Sequence, residues 1–271
     1  MLKILDESKL HFQEEGHIYT YENEIIPSVS TILNLCAIKD SLHNWLNKNR
    51  GTSEHDLAKE KADTANNLGT HIHNSIEDFM NEIGNRYVSQ DDITKASLLP
   101  IKTAKDIQTM VSINNALKFY KENNVLPMEN EGKTVCDYNG MKYAGTYDFS
   151  GKKNEEDIIV DYKTNQKTES LFRIYKVPGY ERQIATYVKS TNASHGYIYH
   201  TTLNMSYEVK KEDIESMFDD FIVLLDLHYN KPKEKEIIKL WNTGDTHEEI
   251  SEKTSEEINN IQKIINKYTL W

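Results

Sequence analysis

Residues 144–164 read AGTYDFSGKKNEEDIIVDYKT. Ile158-Ile159-Val160 is a continuous apolar run of the kind found in a strand buried on both faces. A strand alternates faces with period two, so Asp161 and Lys163 point one way while Val160 and Tyr162 point the other. Asp148 lies on the preceding strand, thirteen residues upstream across a turn. Antiparallel pairing would set Asp148 beside Asp161 at about 5 Å between Cβ atoms. Two carboxylates that close repel each other unless a proton or a divalent cation sits between them. A hard cation with oxygen ligands, Mg²⁺ above all, resolves the repulsion and keeps waters for chemistry. Lys163 would then stand beside one of those waters or a scissile phosphate oxygen. Asp-x-Lys alone reads as a surface ion pair; at the end of a buried strand it asks for a chemical reason.

The flanking sequence supplies the rest of an α/β chain. Residues 10–27 suggest a small hairpin around Gly16, ending at Pro27, and Ser28 or Ser30 can start the helix that follows. Residues 40–65 are polar, helical or partly disordered, with a break at Gly51-Thr52-Ser53. Ile72, Ile76, Phe79, Met80 and Ile83 recur at helical spacing up to Gly84. A second helix is expected over 101–123. Strands follow, with turns at Asn139-Gly140 and between Gly151 and Glu156. A helix over 180–189, strands in HGYIYHTTL and MSYEVK, and a long helix ending near His228 lead to a linker at Lys231-Pro232-Lys233. This divides the chain into residues 1–230, with an N-terminal hairpin and helices to 125 and a core over 126–230, and a C-terminal helical module over 231–271.

Composition narrows the class. The net charge of −11 speaks against a protein that coats nucleic acid. Between Asp161 and Lys189, however, six basic residues face three acidic ones. Apolar runs such as Phe221–Leu225 are far shorter than the ~20 residues of a membrane span. With two cysteines, Cys36 and Cys136, the chain cannot build a four-cysteine zinc site or an iron–sulfur cluster. Free thiols and a start without a signal-peptide core point to the cytoplasm, that of a bacterial host if the chain is phage-encoded.

The pattern Gly145-Thr146-x-Asp148, a turn, an apolar run and Asp161-x-Lys163-Thr164 resembles the core of the PD-(D/E)xK nuclease superfamily, in particular its RecB-like exonuclease branch. Gly69-Thr70-His71-Ile72-His73 is similar to that branch's GT-x-x-H helix, and Gln183 to Tyr187 to its Q-x-x-x-Y helix. The opening His17-x-Tyr19-x-Tyr21 with PSVSTIL resembles phage-type members and the mitochondrial genome-maintenance exonuclease group. The four matches stand in order over roughly residues 10–225. The absence of four cysteines places the likeness with the cluster-free members.

The resemblance implies a restriction-endonuclease-like core, a mixed central sheet flanked by helices. It implies that His73, Asp148, Asp161 and the carbonyl of Tyr162 hold one or two Mg²⁺ or Mn²⁺ ions. Another glutamate is expected before the Asp148 strand, either Glu129 or Glu131. Read alone, His73 is a packed core histidine; beside Asp148, Asp161 and Lys163 it reads as a ligand. The catalytic set is then Asp148, Asp161, Lys163, Gln183 and Tyr187, with Lys167, Arg173, Lys176, Arg182 and Tyr187 along the DNA. The expected activity is metal-dependent hydrolysis at DNA ends, in phage-type recombination, repair or end processing. A silent DNA- or partner-binding protein of this fold and a structure-specific endonuclease are the alternatives. The C-terminal segment has a helix-turn-helix rhythm, with Ser251 as the small residue of its second helix. Glu256 and Glu257 make it more suited to packing on the nuclease, or to docking a recombination or single-strand-binding partner, than to reading DNA.

Overall fold

The computed structural model describes residues 1–164 and 178–270. A six-stranded mixed sheet, ordered β1-β5-β6-β7-β8-β9, forms the centre of an α/β chain. Its strands are β1 (Leu2–Ile4), β5 (Val125–Tyr138), β6 (Met141–Lys153), β7 (Glu156–Lys163), β8 (His195–His200) and β9 (Met205–Val209). β7 and β8 pair in parallel, and the other described strand pairs of the sheet are antiparallel; the helix α6 (Pro178–Thr191) lies within the β7–β8 crossover. Two-residue turns join β5 to β6 and β6 to β7. Asn139-Gly140 and Asn154-Glu155 all have positive φ, the conformation that matches strand twist. Gly151 is therefore not part of a turn: it lies inside β6, opposite Pro127 and Ile158.

The N-terminal hairpin is a three-stranded meander of β2 (Leu10–Gln13), β3 (Ile18–Tyr21) and β4 (Glu24–Ile26). A second turn at Glu22-Asn23, both with positive φ, adds the third strand. Ser28 then caps α1 (Val29–Leu33), its hydroxyl accepting from Thr31 N. α2 (Asp40–Asn49) leads to α3 (Ser53–Ile83), which Thr52 caps and Gly84 ends. This helix starts nineteen residues before Ile72, where the helical period begins. Its first half buries almost nothing, so no hydrophobic period marks it, but it contains no breaker either. Next come α4 (Gln90–Ala96), absent from the sequence reading, and α5 (Ala104–Glu122).

The sheet separates two apolar layers. Ile158, Val160 and Tyr162 of β7 pack with α3 and α5, through Ile72, Ile76, Leu117 and Tyr120. Ile159 faces the other side, toward Ile184 and Val188 of α6 and the helix α7 (Lys211–Asn230). Pro232 is the first residue of α8 (Pro232–Asn242), so Lys231 alone separates α7 from α8. With α9 (His247–Thr254) and α10 (Ile258–Tyr268), this C-terminal part shares the α6–α7 core through Trp241, Ile250, Ile261 and Ile265. His43 of α2 stacks flat on Trp241 at 3.4 Å between centroids. Among the described residues, no helix is long and apolar enough to cross a membrane. Cys36 and Cys136 are buried free thiols.

Candidate metal centre

The β6–β7 ladder runs in register from Lys153↔Glu156 to Phe149↔Val160. One further step would pair Asp148 with Asp161, as the strand spacing suggests, but the ladder ends first. Instead the Asp148 side chain bridges the gap, its Oδ2 accepting the Tyr162 N–H at 2.5 Å. The N–H and C=O of one strand residue point to the same side, so the Tyr162 carbonyl also faces β6, toward Asp148. Lys163, one residue on, faces β8, where its carbonyl accepts from Thr201 N. Asp148 thus sits at a fork in the sheet, open to the helices of both layers.

The neighbouring β5–β6 ladder is interrupted at the same level. Asn130 pairs with Phe149 and Gly132 with Tyr147, while Glu131, between them, has a left-handed φ of +50°. That conformation is unfavourable for a residue with a Cβ, and it aims the Glu131 carboxylate out of the ladder. Glu131, Asp148 and His73 then present ligand atoms within 4.8 Å of one another. Glu129, the other candidate, instead accepts from the Tyr147 hydroxyl at 2.6 Å. Of the two glutamates, the cluster contains Glu131.

His73 arrives from α3, its Nδ1 3.4 Å from Asp148 Oδ1 and its ring edge-on to Tyr162. The Tyr162 ring is held in turn by a hydrogen bond between its hydroxyl and that of Tyr120. Helix α3 can approach this closely because residue 69 is glycine: a Cβ there would lie 2.8 Å from Thr164 Oγ1. His71, two residues before His73, faces elsewhere, close enough to Asp106 of α5 to act on its charge. From the opposite layer Asp161 turns Oδ2 to the Lys163 ammonium. Lys163 Nζ donates to Gln183 Oε1 at 3.2 Å and lies 4.3 Å above the Tyr180 ring centroid.

The electrostatics are those of an acid cluster short of positive charge. Burial pushes Glu131 up to about 8, and the Asp148 charge adds to it. Burial, with Asp148 nearby, also raises Asp161 to about 6 despite Lys163. For Asp148, burial acts upward, but His73, Lys163 and the Tyr162 N–H together hold the carboxyl below its usual range. The same partnership keeps His73 above its ordinary value although burial opposes it. Two carboxylates and an imidazole, Glu131, Asp148 and His73, converge within 4.8 Å, with Asp161 beside them on the next strand, and burial favours a proton on Glu131 and on Asp161. Such a donor set fits a hard divalent cation, which would take the place of those protons.

Other expected residues are placed differently. Tyr187 is buried beneath the site, its ring against Gly145 and Tyr147 and its hydroxyl hydrogen-bonded with Gln183. Arg182 points away, to Asp220 at 2.6 Å and to the Leu270 carbonyl, and ties α6 to α7 and the chain end. Lys189 is paired with Glu215, and Lys163 with Asp161. The local excess of basic residues is therefore neutralised at every position described. Lys167, Arg173 and Lys176 lie outside the described residues. A cleft of about 710 Å³ opens beside the cluster, lined by His73, Tyr162, Lys163 and Thr164, by Asn66 and Thr70 of α3, and by His17 and Ser30. Nothing in the sequence reading singled out Asn66, although it lies one helical turn before Thr70.

No family model matches the chain, and no curated protein does. Among solved structures, the crystal structure of SSO0001 aligns with 49% of this chain at 17% identity and a TM-score of 0.30. The chain spans 66% of that structure's length. These values are too low to transfer a fold or an activity.

Proposed function

We propose that the chain is a divalent-metal-dependent deoxyribonuclease with a PD-(D/E)xK-type, restriction-endonuclease-like core. It hydrolyses phosphodiester bonds at DNA ends, in phage-type recombination, repair or end processing. The observation that carries this reading is the meeting of His73, Glu131 and Asp148 within 4.8 Å, beside the Asp161–Lys163 pair on the next strand. His73, Glu131 and Asp148 would hold Mg²⁺ or Mn²⁺, with Asp161 and the Tyr162 carbonyl completing the set. When bound, the cation lowers the pKa of a water and offsets charge on the phosphate.

The protein groups carry out the remaining work. Lys163 keeps its proton, because Asp161 and Asp148 outweigh the cost of burying its charge, so it presents a cation to a developing phosphorane oxygen. Gln183 fixes that ammonium by accepting a hydrogen bond from it, and the Tyr180 ring limits its swing. Tyr187 and Gly145 set the position of α6, and through it that of Gln183. Hydroxyl and amide groups of Ser30, Asn66 and Thr70 line the cleft, where a phosphodiester needs hydrogen-bond donors.

The test is hydrolysis of end-labelled linear DNA, single- and double-stranded, with Mg²⁺ or Mn²⁺, alongside closed circular DNA. Linear substrates are expected to shorten from their ends while the circle persists, and Asp161→Ala is expected to lose at least about a thousandfold in rate. Cutting of the circle would make the chain an endonuclease. Binding of DNA without hydrolysis, or unchanged hydrolysis by Asp161→Ala, would overturn the catalytic assignment.

A further inference from the structure

The cleft at the metal centre does not end at Asn66. A second cleft of about 490 Å³, lined by Leu57, Glu60, Lys61, Thr64 and Leu68, shares Ala65 and Thr164 with it. Together they make one groove along α3, from His73 back to Leu57. The sixteen steps from Leu57 to His73 span about 24 Å at 1.5 Å per residue. The helix here is unusual in what it leaves uncovered. From Ser53 to Asn67 it buries no side chain, and Leu57 is 50% exposed although it faces the groove. A helix without a buried face gains little from packing, and its exposed leucine has no role in the core.

The chemistry changes along the groove. Near the metal centre it offers Asn66, Thr70 and Lys163, donors suited to phosphate oxygens. The second cleft offers the apolar sides of Leu57, Ala65 and Leu68, with Lys61 and Glu60 as the charged groups. Donors beside a hydrolytic centre followed by apolar surface suit a polymer of phosphates and flat bases. We propose that this groove is an extended subsite for a single nucleic-acid strand, its phosphates on the Asn66–Thr70 side and successive bases against Leu68 and Leu57. At about 3.4 Å per stacked nucleotide, or about twice that extended, 24 Å accommodates roughly four to seven nucleotides. The inference rests on the proposed phosphodiester hydrolysis and adds to it a strand class and a footprint.

Oligothymidylates of two to twelve nucleotides, hydrolysed by the full chain with Mn²⁺, test the footprint. KM is expected to fall tenfold or more as length rises from two to about six nucleotides, then to level off. In the double variant Leu57→Glu/Lys61→Glu, both positions exposed, that dependence is expected to vanish, the longer strands rising to the KM of the dinucleotide. A KM independent of length, or a dependence that survives the double variant, overturns the groove assignment while leaving the metal centre untouched. If no substrate is hydrolysed, the functional reading fails instead. Fluorescence anisotropy of labelled dT8 then decides the groove by itself: binding that the double variant weakens at least fivefold supports it, and unchanged or absent binding rejects it.

Discussion

Glu131 is the residue at which backbone and charge disagree most with ordinary stability. Its φ is left-handed without a glycine's freedom, and its carboxyl is pushed up to about 8 by burial beside Asp148. Both costs are of the kind that accumulate where a site must hold a ligand. Glu131→Gln removes the titrating group and keeps the shape. Metal-free Glu131→Gln is therefore expected to melt above wild type at pH 8, with Mn²⁺ affinity reduced about tenfold or more by calorimetry. Glu129→Gln, two residues away, should leave Mn²⁺ affinity within twofold of wild type.

Proton linkage gives a second test at the same residues. Folded Glu131 and Asp161 hold protons up to about 8 and about 6, whereas their unfolded carboxyls release them near 4. Between those limits the folded state binds more protons than the unfolded state, so stability is lost as pH rises. His73, also raised, acts in the same direction through its own titration. The metal-free chain is expected to melt progressively lower from pH 5 to pH 8.5. Mn²⁺ needs the deprotonated acids, so the rise in Tm it brings should be larger at pH 8 than at pH 6. Equal metal-induced shifts at the two pH values would show that these carboxylates are not the ligands.

At the level of elements, the site depends on how close α6 lies to β6. A Cβ on Gly145 would stand 2.6 Å from Tyr187 Cε1 and 3.0 Å from Val29 Cγ2. Gly145→Ala must therefore push α6 outward or displace α1, at a cost of about 1–3 kcal/mol. Because α6 carries Gln183, the expected outcome of Gly145→Ala is a lower denaturation midpoint together with reduced turnover. Normal stability and turnover would mean that the Tyr187 ring moves aside at no cost. Gly145 could be picked out in the sequence only as part of Gly145-Thr146-x-Asp148; its steric reason lies forty-two residues away, in Tyr187.

The same contrast explains what the sequence carried and what it left open. Alternation along β7 and the apolar run before Asp161 put Asp161 and Lys163 on one face of a buried strand, because period two is a local property. The choice between Glu129 and Glu131 was not local: an extra residue in β5 near Met128 and the left-handed turn of Glu131 decide it. Nor could spacing show that Arg182 faces Asp220 instead of the cleft, since both faces of α6 have helical neighbours at three and four residues. The first half of α3 could be read only as helical or partly disordered, for the opposite reason: it has no buried face to give a period.

For the whole molecule, the question is whether residues 231–270 form a separable domain. The α8–α10 segment contributes Ile237, Ile238, Trp241, Ile250, Ile261, Ile264, Ile265 and Tyr268 to the same cluster as α1, α6 and α7. Polar contacts close the seam. Trp241 Nε1 donates to the Ile38 carbonyl at 3.0 Å, Ala37 N to Tyr268 O at 2.9 Å, and Arg50 meets Asp245 at 2.8 Å. At about 1.5–3 kcal/mol for each large apolar side chain buried, removing the segment gives up an amount comparable to the whole 5–15 kcal/mol by which such domains are usually stable. A chain ending at Asn230 is thus expected to lose cooperative thermal unfolding and its near-ultraviolet circular dichroism, and to bind a hydrophobic dye. A truncated chain with a sharp transition near the full-length Tm would instead define residues 231–270 as an independent module. The outcome bears on the site as well. Arg182 ties α6 to Asp220 and to the Leu270 carbonyl, so the C-terminal helices brace the same helix that holds Gln183 against Lys163. Arg182→Ala leaves the segment in place and removes only this brace. It should lower turnover more than it lowers Tm, whereas a purely structural tie would cost stability and leave the kinetics of the folded fraction intact.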